Sequence, residues 1–590
     1  MGTLGPIFPH RSKLQNYPPL RNAVIFLALL GILFALASIS LHLLKTDNIG
    51  VDDANIFFVY AKNLAEGNGL VYNTGGERVE GFSSLLWTLL LGVIYKLPGN
   101  PEPTILFVNL VFMASALTAL ISFGGKWMVQ RTGQPVQPLL GIGGFLLLAW
   151  SLASPSLVIW TTISLMENGL WTAVAIFATL LMLEHSDEDL PTLRTRLFFS
   201  ILLVMVILSR PEGMLWAAVL GLGSFVGIWL RGGGLLRSFK AVSLPALACL
   251  FTVGGLFTFR LYYFGYPFPN TYYAKVSPDR FYNLLEGGKY LVRFQLSNWL
   301  VPLFTLVAIF GAWKLCRCVI WRMRSASLQM RGETPSDITV GLLSVVLLVG
   351  GSIPVLVGGD HFSMFRFYQV VWPLLPLPLY LIIGPILSQR LNLPWSWRVA
   401  IPALGLVLFL ILPADAWFRL SSSHRIRSEF TIVERDRALG VLLNRTFAAN
   451  ERPSLGVVAA GAIALAYEGE VIDMMGLNNS IMAHAAGDRK GRKNHAAFNK
   501  DILLQQSPEI IAAGKISSPE TFANDHKKQM AYLEQHPSED VLKGLRNEDR
   551  FLKTYELGFI EVDGGKLVGG WFLKSYIPRL RGLRYRPVAY

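Results

Sequence analysis

Three cysteines in 590 residues, with none after Cys318, exclude a disulfide-stapled C-terminal region. Cys249 lies in an apolar run, and Cys316 and Cys318 flank Arg317 beside a basic loop. Two thiolates are too few for a structural zinc site. Charge is also scarce: 16% of residues carry it, against about 25% in a soluble domain. Acids are the rarer sign, 39 against 53 Lys and Arg. The chain has no internal repeat and no low-complexity tract, which speaks against a repeat-built transporter. Beyond residue 413 it has no long apolar run.

Apolar residues are what the chain has in excess. They make up 52% of the sequence, and the mean hydropathy is +0.43. Long apolar stretches recur through residue 413 and then stop, the pattern of a polytopic membrane protein followed by a polar region. The net charge of +14 sits largely in short loops between apolar runs. That distribution fits positive-inside topology and anionic lipid headgroups, and it argues against a nucleic-acid partner. Lys314, Arg317, Arg322, Arg324 and Arg331 form one basic cluster; Arg231, Arg237 and Lys240 form a second; Arg390 and Arg398 form a third. All three are expected on the cytoplasmic side, with Arg11, Lys13 and Arg21. Ala35-Leu36-Ala37 resembles a signal-cleavage site, but its apolar run continues through Leu44, so an uncleaved anchor is expected.

Eleven runs can each cross once: 23–44, 104–124, 138–153, 167–184, 196–209, 213–230, 241–263, 298–313, 338–358, 366–388 and 398–413. The expected organisation is a cytoplasmic N-terminus (1–22), a transmembrane module (23–413) and an extracytoplasmic C-terminal domain (414–590). Parity makes 45–103 one long external loop. The run 83–97 would be a helix of about 22 Å, short of a hydrocarbon core of about 30 Å, and is expected to lie in the interface. In the polar region, 455–459 reads as a buried strand, 460–467 as a turn into a helix and 471–473 as a second strand, an α/β or α+β layer. Ala460-Gly461-Ala462 lacks the fingerprint of a phosphate loop and reads as a strand-to-helix turn. The charged loop 488–493 and the tail from Arg579 to Arg586 are either solvated or in contact with headgroups or an anionic glycan.

Asp52 and Asp53 follow the first apolar run at the membrane edge, where carboxylates are costly and their presence suggests a task. The same topology brings Glu167, Arg210-Pro211-Glu212, the stretch 267–275 and Asp360-His361 to the external face. The residues from Val51 through Trp87, including Asp52-Asp53-Ala54-Asn55, Gly69-Leu70-Val71-Tyr72-Asn73 and Glu80-Gly81-Phe82, resemble the first external loop of terminal arabinofuranosyltransferases of the AftB type. They also resemble the related pilin arabinosyltransferases (TfpW). Both are membrane glycosyltransferases of the GT-C class. Further similar stretches are Leu208-Ser209-Arg210-Pro211-Glu212-Gly213, Pro269-Asn270-Thr271-Tyr272-Tyr273-Ala274-Lys275, Gly358-Gly359-Asp360 with Phe365-Arg366-Phe367, and Val471-Ile472-Asp473-Met474-Met475-Gly476-Leu477.

The resemblance implies a mainly α GT-C fold and a polyprenyl-phosphate sugar donor, with D-arabinofuranose expected. It also implies transfer on the outer side of a bacterial inner membrane. The chain is less alanine-rich than actinobacterial relatives would be, so the acceptor is expected to be a surface glycan or a pilin-type protein. An acceptor hydroxyl needs a base, and a single inverting displacement needs only one. One of Asp52 and Asp53 is expected to be that base, while the other orients it or binds a divalent ion (magnesium, manganese or calcium). Arg210, Lys275 and Arg366 are expected to hold the donor phosphate. Tyr272 and Tyr273 belong to an aromatic belt or stack on a sugar. Glu80, Glu167, Glu212, Asp360 and His361 are further substrate-binding candidates. The competing readings are a GT-C transferase of mannose, glucose or aminoarabinose, a lipid-linked glycan flippase, and a non-catalytic glycan-binding protein.

Overall fold

The computed structural model describes residues 19–132, 144, 146–187, 191–324, 335–390, 416–487, 489–491, 496–516, 525, 539–562 and 565–588. The N-terminal part is helical: α1 (Pro19–Leu44), α2 (Asp52–Ala65), α3 (Leu85–Ile94), α4 (Pro101–Thr132), α5 (Asn168–Ser186), α6 (Leu193–Ser209), α7 (Gly213–Ile228), α8 (Gly234–Phe264), α9 (Asn270–Lys275), α10 (Arg280–Gln295), α11 (Leu300–Arg324), α12 (Pro335–Leu356) and α13 (Leu377–Arg390). Among the described residues, six helices are long and apolar enough to cross a membrane: Leu20–Leu44, Pro101–Arg131, Asn168–Ser186, Gly213–Phe264, Leu300–Arg324 and Ser336–Leu356. Leu146–Leu152 and Pro155–Ile163, bent by 72°, form a seventh candidate as a broken pair.

Gly213–Phe264 contains two of the expected runs. They join at Gly232, whose φ of 98° is a conformation that glycine adopts without a Cβ clash. The run 366–388 is not one helix. Short 3₁₀ turns at Arg366–Tyr368 and Trp372–Leu374 precede α13, because Pro373 and Pro376 break the helical ladder. The run 398–413 lies outside the described residues. Helix α3 spans ten residues, about 15 Å, and packs on α2.

The polar region opens with α14 (His424–Thr446) and contains β1 (Leu455–Val457), α15 (Ala462–Ala466), β2 (Val471–Asp473), β3 (Ile510–Ile516), β4 (Tyr555–Val562), β5 (Lys566–Leu573) and β6 (Arg586–Pro587). The sheet order is β2-β1-β3-β5-β4-β6. Strand β1 is parallel to β2 and β3, and the remaining pairs are antiparallel. Met474, Phe498, Leu503, Phe551 and Trp571 form a core on this sheet. The expected strand, turn, helix and strand over 455–473 are all present.

The segment between α1 and α4 is stitched to this sheet-bearing region. Asn73 and Val471 exchange hydrogen bonds of 2.9 and 3.0 Å. The Tyr60 hydroxyl bridges the Val79 carbonyl and Asn478, and the Tyr72 hydroxyl donates to the Ala460 carbonyl. Asn270 donates to the carbonyls of Gly476 and Leu477 at 2.7 and 3.0 Å.

Candidate active site

Asp52 and Asp53 are the first two residues of α2, where the helix dipole and free amides favour negative charge. Consecutive helical residues point about 100° apart, and the two acids have separate partners. Asp52 is turned into the C-terminal domain. Its carboxylate accepts from the Ala462 amide at 2.7 Å and from the Gly461 amide at 3.1 and 3.2 Å. The turn that resembles a weak phosphate loop therefore cradles a carboxylate of its own chain. A Cβ on Gly461 would collide with the Asp52 carbonyl oxygen, which fixes glycine there. Burial raises the Asp52 carboxyl to about 7, with Asp436 and Asp53 adding to the rise against the two amides.

Asp53 points the other way, into a chain of ion pairs. Its Oδ2 lies 3.6 Å from Lys275 Nζ and 3.3 Å from an Arg366 guanidinium nitrogen. Burial works to raise its pKa, but Lys275, Arg366 and His361 outweigh it and hold the carboxyl at about 2. Arg366 also donates through Nε to Asp360 at 2.8 Å. Asp360 in turn accepts from the His361 amide at 2.9 Å and lies 3.4 Å from His361 Nδ1.

The backbone aims Arg366 by force. Met364 and Phe365 both adopt left-handed conformations, with φ of 64° and 51°, each costing of order 1–3 kcal/mol. Gln369 holds this turn by donating to the carbonyls of Met364 and Phe365 at 3.1 and 3.0 Å. Trp160 donates to the Ser363 carbonyl at 3.2 Å, tying the turn to the bent helix pair.

A second guanidinium stands beside the first. Arg210, at the end of α6, donates to Glu167 and forms a forked pair with Glu212 at 3.1 and 3.2 Å. Arg210 and Arg366 lie over the Phe367 ring, each 5.2 Å from its centroid, and Phe362 stacks on Arg366 at 4.3 Å. Both arginines line one pocket with Asn168, Glu212, Trp171, Trp216, Ile353 and Pro354. Asn168, which sequence reasoning missed, is 2% exposed, and its Nδ2 has no hydrogen-bond partner among the described residues. A buried donor without a partner is costly, and this one lines a pocket that already holds two guanidinium groups.

No family model matches this chain, and no curated protein matches it. Among solved structures it is similar to the archaeal oligosaccharyltransferase AglB from Archaeoglobus fulgidus in complex with an inhibitory peptide and a dolichol-phosphate. That likeness has 12% identity and a TM-score of 0.45, over 95% of this chain and 75% of that one. It is similar also to the oligosaccharyltransferase of the same organism in complex with zinc and sulfate, at 10% identity and a TM-score of 0.44, over 92% of this chain and 73% of that one.

The other expected residues divide by their partners. Glu167, Glu212, Asp360 and His361 belong to the arginine cluster. Glu80 is paired elsewhere: both of its oxygens accept from Arg260, at 2.8 and 2.9 Å, and the two side chains are 2% and 3% exposed. Tyr273 stacks at 4.2 Å on His484, which also stacks at 3.9 Å on Tyr266. Tyr272 is exposed and packs on Phe268 and Tyr273. In the charged loop 488–493, Arg489 is buried and donates to the carbonyls of Ala483 and Ala485. It is therefore a structural clasp, while 488 and 492–493 lie outside the described residues.

Among the described residues no three His, Cys, Asp or Glu side chains converge as metal ligands. Asp53, Asp360 and Glu212 each already face a guanidinium.

Disrupting the Asp52 clamp has a pH signature. A carboxyl whose pKa is higher in the folded than in the unfolded chain adds stability that is complete below its unfolded value and lost as pH rises through its folded value. For Asp52 that window runs from 3.8 to about 7. In detergent, the melting temperature of the wild type should fall more steeply across this window than that of Asp52→Asn. Equal slopes for the two proteins would refute the assignment.

Proposed function

We propose that this chain transfers a sugar, D-arabinofuranose, from a polyprenyl-phosphate donor to a surface glycan or a pilin-type protein. Transfer takes place at the outer face of a bacterial inner membrane, with inversion. The N-terminus is cytoplasmic, residues 23–413 form the membrane module, and 414–590 form the extracytoplasmic domain. The observation that carries this reading is the pocket where Arg210, Arg366 and the unpartnered Asn168 amide meet apolar walls beside Asp53. Two guanidiniums and an amide suit a phosphate oxygen, and Trp171, Trp216, Ile353 and Pro354 keep its surroundings apolar.

In this reading Arg210, Arg366 and Asn168 hold the phosphate, and Lys275 adds charge at its edge. The C1–O bond to phosphate breaks, and polyprenyl phosphate leaves with the electron pair. Positive charge then develops on the anomeric carbon, where a nearby carboxylate stabilises it. Asp53 stays ionised at every physiological pH because two cations flank it, and it serves that role. Asp52, one residue away, is a positioning residue.

The test is purified protein with synthetic polyprenyl-phosphate arabinofuranose and a hydroxyl acceptor, followed by mass spectrometry. A pentose-bearing product supports the reading. Transfer only from mannose, glucose or aminoarabinose donors overturns the sugar, and no transfer from any of them overturns the class. Asn168→Leu should raise the donor KM about tenfold, the size of one hydrogen bond to a charged group, with kcat changed less.

A further inference from the structure

Helix α10 (Arg280–Gln295) divides its surface into three sectors. At about 100° per residue, Asn283, Gly287, Tyr290 and Phe294 fall on one side, and all four are buried. Phe281, Leu284, Leu285 and Val292 fall on a second side, and all four are exposed. Glu286, Lys289 and Arg293 fall on the third, beyond Leu285. The first two sectors join into an apolar arc wider than one core contact needs, and half of it has no protein against it.

The contacts of α10 fix its level in the molecule. At its N-terminus the cap residue Asp279 pairs with Lys490 at 2.9 Å, and the Tyr282 hydroxyl donates to the Gly491 carbonyl at 3.4 Å. Both partners belong to the sheet-bearing polar region. At its other end Gln295 exchanges hydrogen bonds of 3.1 and 3.2 Å with Thr305, near the start of α11. Between these, Gly287 lies so close to the Val355 carbonyl, at the end of α12, that a Cβ there would collide with it. Helix α10 therefore lies across the ends of two membrane-spanning candidates, next to the polar region. That is the level of the headgroups of a bilayer. The exposed stripe also continues along the chain through Leu296 and Trp299 to α11, where Leu303, Leu306 and Phe310 are exposed on a span.

Charge selects the lipid. Arg280 flanks the stripe on one side, and Lys289 and Arg293 flank it on the other. Lys289 pairs with Glu286 at 2.6 Å. Arg280 and Arg293 are exposed and have no ion-pair partner among the described residues.

We infer that α10 lies in the headgroup layer with its exposed stripe among acyl chains, and that Arg280 and Arg293 meet the phosphates of anionic phospholipids. Apolar burial and attraction to anionic lipid are the two forces that hold a helix in the interface. The buried sector gives this contact a bearing on the site. Tyr290 packs at 5.6 Å on Phe365, and Phe294 at 4.0 Å on Tyr368. Lipid and the turn that aims Arg366 thus press on different sides of one helix, about 10–12 Å across.

The test places the full-length protein in phosphatidylcholine nanodiscs doped with a phosphatidylglycerol, or separately a phosphatidylcholine, that carries a diazirine in its acyl chain. After illumination, peptide mass spectrometry locates the adducts. Wild type should carry adducts within 281–292 as well as on α11. On α10 the phosphatidylglycerol adducts should exceed the phosphatidylcholine adducts by about fivefold, the effect of one cation at an anionic surface. Arg280→Gln/Arg293→Gln should bring that ratio to about one on α10 and leave α11 unchanged. Both arginines are exposed, so the variant should keep the wild-type melting temperature, which checks its fold. Adducts on α11 with none on α10 overturn the inference, because water or another protein surface then covers the stripe. A ratio on α10 that the double substitution does not move overturns the headgroup contact. No readout here requires sugar transfer, so the result stands apart from the transferase reading.

Discussion

Asp53→Asn is expected to lower transfer by about 10²–10³-fold, the effect of removing one preorganised electrostatic group from an active site, with folding and membrane insertion intact. The geometry explains why fold and activity should separate. The Asp53 side chain is 20% exposed, and its Oδ2 pairs with Lys275 and Arg366. An amide of the same shape keeps the packing and removes the negative charge. Gel filtration and melting temperature in detergent check the fold, and radiolabelled sugar transfer checks the rate. Because the Asp53 carboxyl is held at about 2, its own titration contributes nothing to the loss at neutral pH. An Asp53→Asn enzyme retaining a tenth or more of wild-type activity would remove Asp53 from the mechanism.

The second large effect concerns stability. Arg260→Met should destabilise the protein by about 3–5 kcal/mol, because it leaves the Glu80 carboxylate buried without its partner. The double variant Arg260→Met/Glu80→Gln should recover most of that loss, since the uncompensated charge is gone. Thermal or denaturant unfolding in detergent measures both proteins. If Glu80 instead bound substrate, Glu80→Gln alone would raise KM without the stability coupling, and the double variant would be no better than the single.

Much of this was legible in the sequence, and the reasons differ by element. Apolar runs announced the helices, because a bilayer leaves few alternatives to helix for a long apolar segment. Short apolar stretches alternating with a turn located β1, α15 and β2. The run 366–388 misled because its apolar composition is that of a helix, while Pro373, Pro376 and the left-handed pair before Arg366 bend it into turns. The split between Asp52 and Asp53 was not legible: adjacency says nothing about partners that lie hundreds of residues away. Glu80 looked like a site residue because it sits inside a distinctive motif, and only the fold reveals Arg260 against it. Asn168 carried no signal, since an asparagine opening a helix is ordinary. Its interest lies in a side-chain amide without a partner among the described residues, which is a property of three-dimensional surroundings.

The bond from Asp52 to the amides of Gly461 and Ala462 joins residues 409 and 410 positions apart, with consequences for biosynthesis. During translation α2 emerges early and its acids wait, exposed, while the remaining helices are made and inserted. Asp53 can meet Lys275 and Arg366 earlier, but only when the ribosome has passed residue 462 can Asp52 be seated on its two amides. A nascent or truncated chain therefore holds one of the two adjacent acids in place and leaves the other without its seat.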